Sequence, residues 1–209
     1  MYKVPDLLTP EDRALLNEYL ATITIDPNNT SRLFAIGFIG LPGTGKSTLA
    51  NMISHDLKLP LNRSDQIRRF LNSKGFPGSS PRQDIMPALA ENRTLFFYTN
   101  NTSVVIDANF TEYATNSQAN ALTYGATLLL IRTICPDEIA IERLKVRTIS
   151  GTSGDSAATE DHFEEIKNCV AGFPKIDSPY YEVDTTLEIK TQLNGLYKKM
   201  RDDGYIADE

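Results

Sequence analysis

Apolar and polar positions along this chain follow two rhythms. Short unbroken apolar runs at residues 33–39, 104–106 and 128–131 have the length and composition of strands buried on both faces of a parallel sheet. Weaker runs at 57–61 and 180–183 read as short flanking strands. Between the runs, apolar residues recur at helical spacing. Thr9-Pro10-Glu11-Asp12 opens a first helix, with Thr9 as cap, Pro10 at the first helical position and Asp12 as the capping-box acid. Leu15, Leu16, Tyr19 and Leu20 would form its buried face, and the polar turn at Asp26-Pro27 closes it.

Leu49, Met52 and Ile53 share a second helical face. Ser64 is placed to cap a helix through Ile67, Phe70 and Leu71. A longer helix is predicted over residues 84–98, with Pro87 tolerated in its first turn. Pro136-Asp137-Glu138 starts another helix, which carries Ile141 and Leu144. Further helices are expected over residues 160–169 and around Ile189, Leu193 and Leu196. Gly, Ser and Pro mark loops at 75–81 and 150–158. Strands alternating with helices imply an α/β domain whose parallel sheet is covered on both faces. The division expected is a helical extension over residues 1–30, a core over 31–197, and a polar tail over 198–209 that frays.

Composition narrows this picture. At 209 residues and 41% apolar content, the chain can build one α/β domain but hardly two. A formal charge of −6 without a basic stripe argues against an extended nucleic-acid surface. Cys135 and Cys169 form no zinc or redox motif. The N-terminus carries no apolar signal core, and no apolar run reaches the ~18 residues of a membrane span. A cytoplasmic location with no membrane partner is therefore expected.

The first strong strand leads directly into Gly40-Leu41-Pro42-Gly43-Thr44-Gly45-Lys46-Ser47, followed by Thr48 and a helix. This fits the G-x-x-x-x-G-K-[ST] pattern in full. Backbone N–H groups of such a loop, together with the helix N-terminus behind it, cradle phosphate oxygens. Lys46 would reach the β- and γ-phosphates, and Ser47 would offer its hydroxyl to Mg²⁺. The cofactors expected are thus ATP, or GTP, with Mg²⁺.

Other candidates follow from position. Asp65, 19 residues after Lys46, starts a helix behind a strand, at the sheet edge where ligands bind. Arg68 shares its helix face. The pair reads either as an acceptor-binding and proton-accepting pair or as an ordinary helix start. Asp107, closing the run at 104–106, would hold a water of the Mg²⁺ shell, face the acceptor or simply end a buried strand, and Asn109 would contact substrate or shape the turn. The residue after Asp107 is Ala108; a Glu there would have favoured water activation, so the balance tilts from hydrolysis to transfer. Arg143 and Arg147 share a face at a helix end before the loop at 150–158, where they would close over the moving phosphoryl group or merely complement the helix dipole. Arg132 is a weaker substrate candidate. His55 and His162 read as structural or surface residues, and Asp184-Thr185 as a helix cap or a border of the nucleotide base.

The ordered set of Gly40–Thr48, Ser64-Asp65-Gln66-Ile67-Arg68, Val104–Phe110 and Glu142–Arg147 resembles the small P-loop kinases with an adenylate-kinase-like core, in particular those related to polynucleotide kinase and zeta toxin. The resemblance implies a three-layer P-loop NTPase fold with strand order 2-3-1-4-5. It also implies a general base at Asp65, an acceptor-binding arginine at Arg68, and a charge-stabilising arginine at Arg143 or Arg147. The phosphatase domain that often accompanies polynucleotide kinases has no room here, and its D-x-D-x-T motif is missing.

The function expected is ATP-dependent phosphoryl transfer to a hydroxyl of a small metabolite, nucleoside or sugar derivative. The alternatives are a polynucleotide 5′-hydroxyl kinase, a nucleotide-gated ATPase or GTPase switch, and a catalytically weak nucleotide-binding toxin component. No N-K-x-D guanine motif supports the GTPase reading.

Overall fold

The computed structural model describes residues 9–25, 30–76, 85–109, 114–150, 163–170 and 180–207. Five parallel strands form one sheet: β1 (Phe34–Ile39), β2 (Leu61–Arg63), β3 (Val104–Asn109), β4 (Thr127–Ile134) and β5 (Tyr180–Asp184), in the order β2-β3-β1-β4-β5. The helices are α1 (Pro10–Ala21), α2 (Lys46–Asp56), α3 (Ser64–Ser73), α4 (Met86–Thr99), α5 (Ala114–Thr123), α6 (Asp137–Ile149), α7 (Phe163–Val170) and α8 (Ile189–Asp202).

Side-chain alternation along the strands divides the core into two layers. Phe34, Ile36 and Phe38 of β1, Val105 of β3, and Leu129 and Ile131 of β4 face α2 and α8. Ala35, Val104, Ile106, Leu128 and Leu130 face α4 and α5 on the other side. Unbroken apolar runs are the direct consequence: neither face of the central strands meets water. A smaller cluster joins Leu16 and Tyr19 of α1 to Ile67 and Leu71 of α3 and Leu89 of α4. The first helix is capped as its sequence predicts, Thr9 Oγ1 accepting from the Asp12 N–H and Asp12 Oδ2 accepting from the Thr9 N–H, each at 3.2 Å.

Four expectations need correction. The second strand is not residues 57–61 but Leu61–Arg63. Leu57 caps α2, Lys58 takes φ +52°, and the Leu59 N–H bonds to the Ser54 carbonyl, so 57–59 is a helix exit turned inward. Ser64 does not cap α3; it is the first helical residue, and Arg63 holds the cap position without a side-chain bond. Asp184-Thr185 does not cap α8, whose cap position is Glu188; Asp184 Oδ1 instead accepts from the N–H and hydroxyl of Thr186. Residues 198–207 do not fray: α8 continues to Asp202, and Met200 and Tyr205 are buried. The loop expected at 150–158 begins with Ser150 at the end of α6, and its remainder lies outside the described residues.

Candidate active site

The glycine-rich loop leaves the C-terminal end of β1 and is moulded against β4 and α6. Gly43 has φ +80°, and a Cβ there would stand 2.3 Å from the carbonyl oxygen of Ala140 on α6. Only glycine allows that approach. Behind the loop, the buried Thr44 hydroxyl donates to the Leu41 carbonyl at 2.7 Å and shares a 2.7 Å hydrogen bond with the Thr133 hydroxyl of β4. Gly40 packs on the same Thr133 side chain. Gly40, Leu41 and Thr44 thus shape the loop from behind, whereas Pro42, Gly43, Gly45, Lys46, Ser47 and Thr48 line a cavity of about 600 Å³ at its front.

Lys46 opens α2, and its ammonium donates to the carbonyl oxygens of Gly40 and Leu41, both at 2.8 Å. The ammonium therefore lies over the loop, beside the N–H groups at the start of α2. Burial pushes its pKa down to about 8; Asp107 opposes the shift and Arg147 adds to it. A cation held this way gains from an anion beside it.

One residue further on, the Ser47 hydroxyl donates to Asp107 Oδ1 at 2.9 Å. The other carboxylate oxygen faces Arg63 Nε at 3.4 Å. Strand register explains the pair, because Arg63 of β2 stands directly opposite Asp107 of β3. Arg63 also donates to Asn51 on α2. Mg²⁺ favours a hydroxyl and a carboxylate oxygen with waters and phosphate oxygens completing its shell. The donor set of Ser47 and Asp107 fits it.

The opposite wall comes from α6 and the turn after β5. Arg143 donates to the Thr185 hydroxyl at 3.0 Å and to the Thr185 carbonyl at 2.8 Å, and reaches the Gly43 carbonyl at 3.5 Å. Arg147, one turn on, lines the cavity with Thr185, Ile166 and Ile189. Arg143 is therefore a strut between loop, helix and sheet end, while Arg147 faces the cavity that Lys46 enters.

The cavity gathers Lys46, Ser47, Asp107, Arg143 and Arg147 of the predicted set. Asp65 occupies the first turn of α3, two residues beyond Arg63; its side chain and that of Asn109 lie outside the described residues. Arg68 is half-buried on α3 and does not line the cavity. Arg132 is exposed on β4 and pairs with Glu182 at 3.2 Å, away from the site. His55 is exposed at the end of α2 beside Asp56, and His162 lies outside the described residues. Sequence reasoning missed Arg63 and Thr133, neither of which carried a signal in the sequence. Among the described residues no group of three or more His, Cys, Asp or Glu could hold a metal, and no helix is long and apolar enough to cross a membrane.

A family model described as AAA domain matches residues 36–172, well over half of the chain. A search of curated proteins finds no sequence match. Solved structures share the fold. A protein provisionally designated a kinase, from Chloroflexus aurantiacus, is 17% identical with a TM-score of 0.62, over 80% of this chain and 98% of its own. The PezAT chromosomal toxin–antitoxin system of Streptococcus pneumoniae contributes a chain 13% identical with a TM-score of 0.58, over 97% of both. The APS kinase CysC of Mycobacterium tuberculosis, solved with AMPPNP and APS, is 17% identical with a TM-score of 0.54, over 81% of this chain and 98% of that one. At these identities the likeness establishes a kinase-like P-loop fold.

Proposed function

The chain belongs to this AAA domain family, and on that premise we propose that it is an ATP-dependent kinase acting on a hydroxyl of a small metabolite, nucleoside or sugar derivative. The observation that carries the reading is the meeting of Lys46, Ser47 and Asp107 in one cavity, with the first turn of α3 beginning beside it. The loop N–H groups and Lys46 bind and orient the β- and γ-phosphates. Ser47 and Asp107 hold Mg²⁺, which when bound offsets the phosphate charge.

The acceptor oxygen attacks the γ-phosphorus, the bond to the β–γ bridging oxygen breaks, and ADP leaves. Asp65 takes the acceptor's proton, and Arg68 binds a polar group of the acceptor. Arg147 neutralises charge on the equatorial oxygens in the transition state. Arg143 holds the loop against the turn at Thr185, so its contribution to rate is through position. Asn109 follows at the end of β3 as a substrate contact. Neighbours named for an APS kinase and a toxin–antitoxin system leave the acceptor wide, and a small molecule fits the absence of a basic stripe.

Incubation with γ-labelled ATP and a panel of sugars, nucleosides and sulfonucleotides tests the reading. At least one acceptor should be labelled, and Asp65→Asn should cut transfer by roughly a hundredfold or more while ATP still binds. Unchanged transfer in that variant would remove Asp65 as the base. Acceptor-independent hydrolysis as the only reaction would replace the kinase reading with a nucleotide switch.

A further inference from the structure

Arg93 of α4 is only 8% exposed, yet it bonds to three other elements. Its Nη1 donates to the Tyr19 hydroxyl of α1 and to Gln66 Oε1 of α3, each at 2.6 Å, and its Nη2 to the Leu61 carbonyl of β2 at 3.2 Å. The guanidinium lies against the rings of Tyr19 and Phe97, 5.6 and 5.8 Å from their centroids. All three acceptors are neutral, and Nε is buried with no hydrogen-bond partner. A cation placed this way is costly, and an apolar side chain would serve packing alone at least as well. What the guanidinium adds is direction: a rigid fork whose donors hold several acceptors in fixed relation.

Two of those acceptors bracket the bend from β2 into α3. Leu61 opens the strand, Gln66 lies in the first turn of the helix, and the segment between them carries Arg63 and Asp65. The sheet gives this bend little support. β2 is three residues long, stands at the sheet edge and pairs with β3 alone among the described residues. So short a strand with one neighbour is weakly held by itself. α4 has a second grip on it, because the buried Asn62 amide donates to the Ala90 carbonyl at 3.1 Å and to the Thr94 hydroxyl at 3.0 Å. Next in the strand, Arg63 Nε faces Asp107, whose other oxygen takes the Ser47 hydroxyl. Contacts thus run without a break from Arg93 to the proposed Mg²⁺ donors.

We propose that Arg93 is a positioning residue for the phosphoryl-transfer site: by clamping both ends of the β2–α3 bend, it sets Arg63 against Asp107 and places Asp65 on the acceptor side. The roles of Asp65 and Asp107 rest on the kinase reading, whereas the clamp rests on the Arg93 contacts alone. Arg93 does not line the cavity at the phosphate loop, so it acts only through the bend.

Amide hydrogen exchange and Mg²⁺ titration of AMPPNP binding, both on the full chain, test the clamp. Arg93→Met keeps an apolar side chain beside the two rings and removes every donor. It should speed exchange in α3 by roughly tenfold or more relative to β1 and α2. The Mg²⁺ concentration for half-maximal AMPPNP binding should rise by roughly threefold or more, while AMPPNP affinity at saturating Mg²⁺ stays unchanged. Gln66 is exposed, so Gln66→Met takes away one acceptor without opening the core. It should give both changes at smaller size, with the melting temperature unchanged. Gln66→Glu keeps an acceptor oxygen and should retain the exchange and the Mg²⁺ dependence of the unaltered chain. Added to Arg93→Met, Gln66→Met should have no further effect. Equal acceleration in α3, β1 and α2, an unchanged Mg²⁺ titration, or additive effects of the two substitutions would each overturn the proposal. No AMPPNP binding by the unaltered chain would instead overturn the kinase reading, and exchange in α3 would still decide the clamp.

Discussion

Lys46 is where a single side chain sets a measurable property of the site. Its pKa, ordinarily 10.5, is pushed down to about 8 by burial. Below pH 8 the group is charged in the folded protein, and above it the charge is lost, while the unfolded chain stays protonated up to about pH 10.5. The unfolded state therefore binds more protons between these values. Burial of the charged Lys46 costs stability below pH 8, and that cost is relieved as pH rises. Nucleotide binding has the opposite slope, because phosphate favours the charged form. From pH 7 to 9 the charged fraction falls from about nine-tenths to one-tenth, so the ATP dissociation constant should rise roughly tenfold. Calorimetry at pH 8 in buffers of different ionisation enthalpy should detect proton uptake on ATP binding, and Lys46→Arg should flatten the slope. Uptake of no proton would place the pKa elsewhere. Arg63 makes a second residue-scale prediction. It holds the Asp107 oxygen turned away from Ser47, so Arg63→Met should raise the Mg²⁺ needed for half-maximal ATP turnover by roughly tenfold. An unchanged Mg²⁺ titration would make the pair merely structural. The sequence offered Asp107 as a strand-end acid but gave no hint of Arg63, because only the β2–β3 register puts the two side by side.

Among the elements, α6 does two jobs that its sequence suggested only in part. Its arginines were legible as a pair sharing one face, but spacing could not say that one would be consumed in holding the fold. Arg143 bonds to the turn after β5 and to the phosphate loop, whereas Arg147 meets the cavity. Arg143→Ala should therefore lower thermal stability and weaken ATP binding. Arg147→Ala should cut the turnover number by roughly a hundredfold or more. Equal effects of the two variants on turnover, with equal melting temperatures, would refute the division. The same helix makes Gly43 irreplaceable, because an added Cβ meets the Ala140 carbonyl rather than a movable side chain. Buried strands and capped helix starts were legible because local composition decides them: the runs of β1, β3 and β4, and the Thr9–Asp12 box. The β2 boundary was not, because Leu57 and Leu59 are apolar for packing rather than for pairing, and apolarity alone does not distinguish the two.

Over the whole molecule, the sheet is sealed by a C-terminal segment that composition marked as polar and loose. Tyr205 packs edge-on against Phe34 of β1, with centroids 5.8 Å apart, and Arg32 lies over its ring. Tyr181 of β5 donates to Asp203 at 2.6 Å, and Thr30 bridges Ile206. Lys198, Lys199, Arg201 and Asp202 made the segment look solvated, yet the buried positions Leu193, Leu196 and Met200 continue the same helical stripe. Three apolar residues among many charged ones suffice when each falls on one face. The consequence is that the C-terminal segment belongs to the same core as the phosphate loop's own strand and helix, since Phe34, Leu49 and Met200 share one cluster. Met200→Ala removes a side chain that is 1% exposed, and a cavity there should cost about 2–5 kcal/mol. Urea denaturation should show that loss as a lower midpoint, and ATP protection of the melting temperature should persist because the site itself is untouched. A change within about 0.5 kcal/mol, the range of an exposed position, would mean that the segment is not part of the folded core in solution.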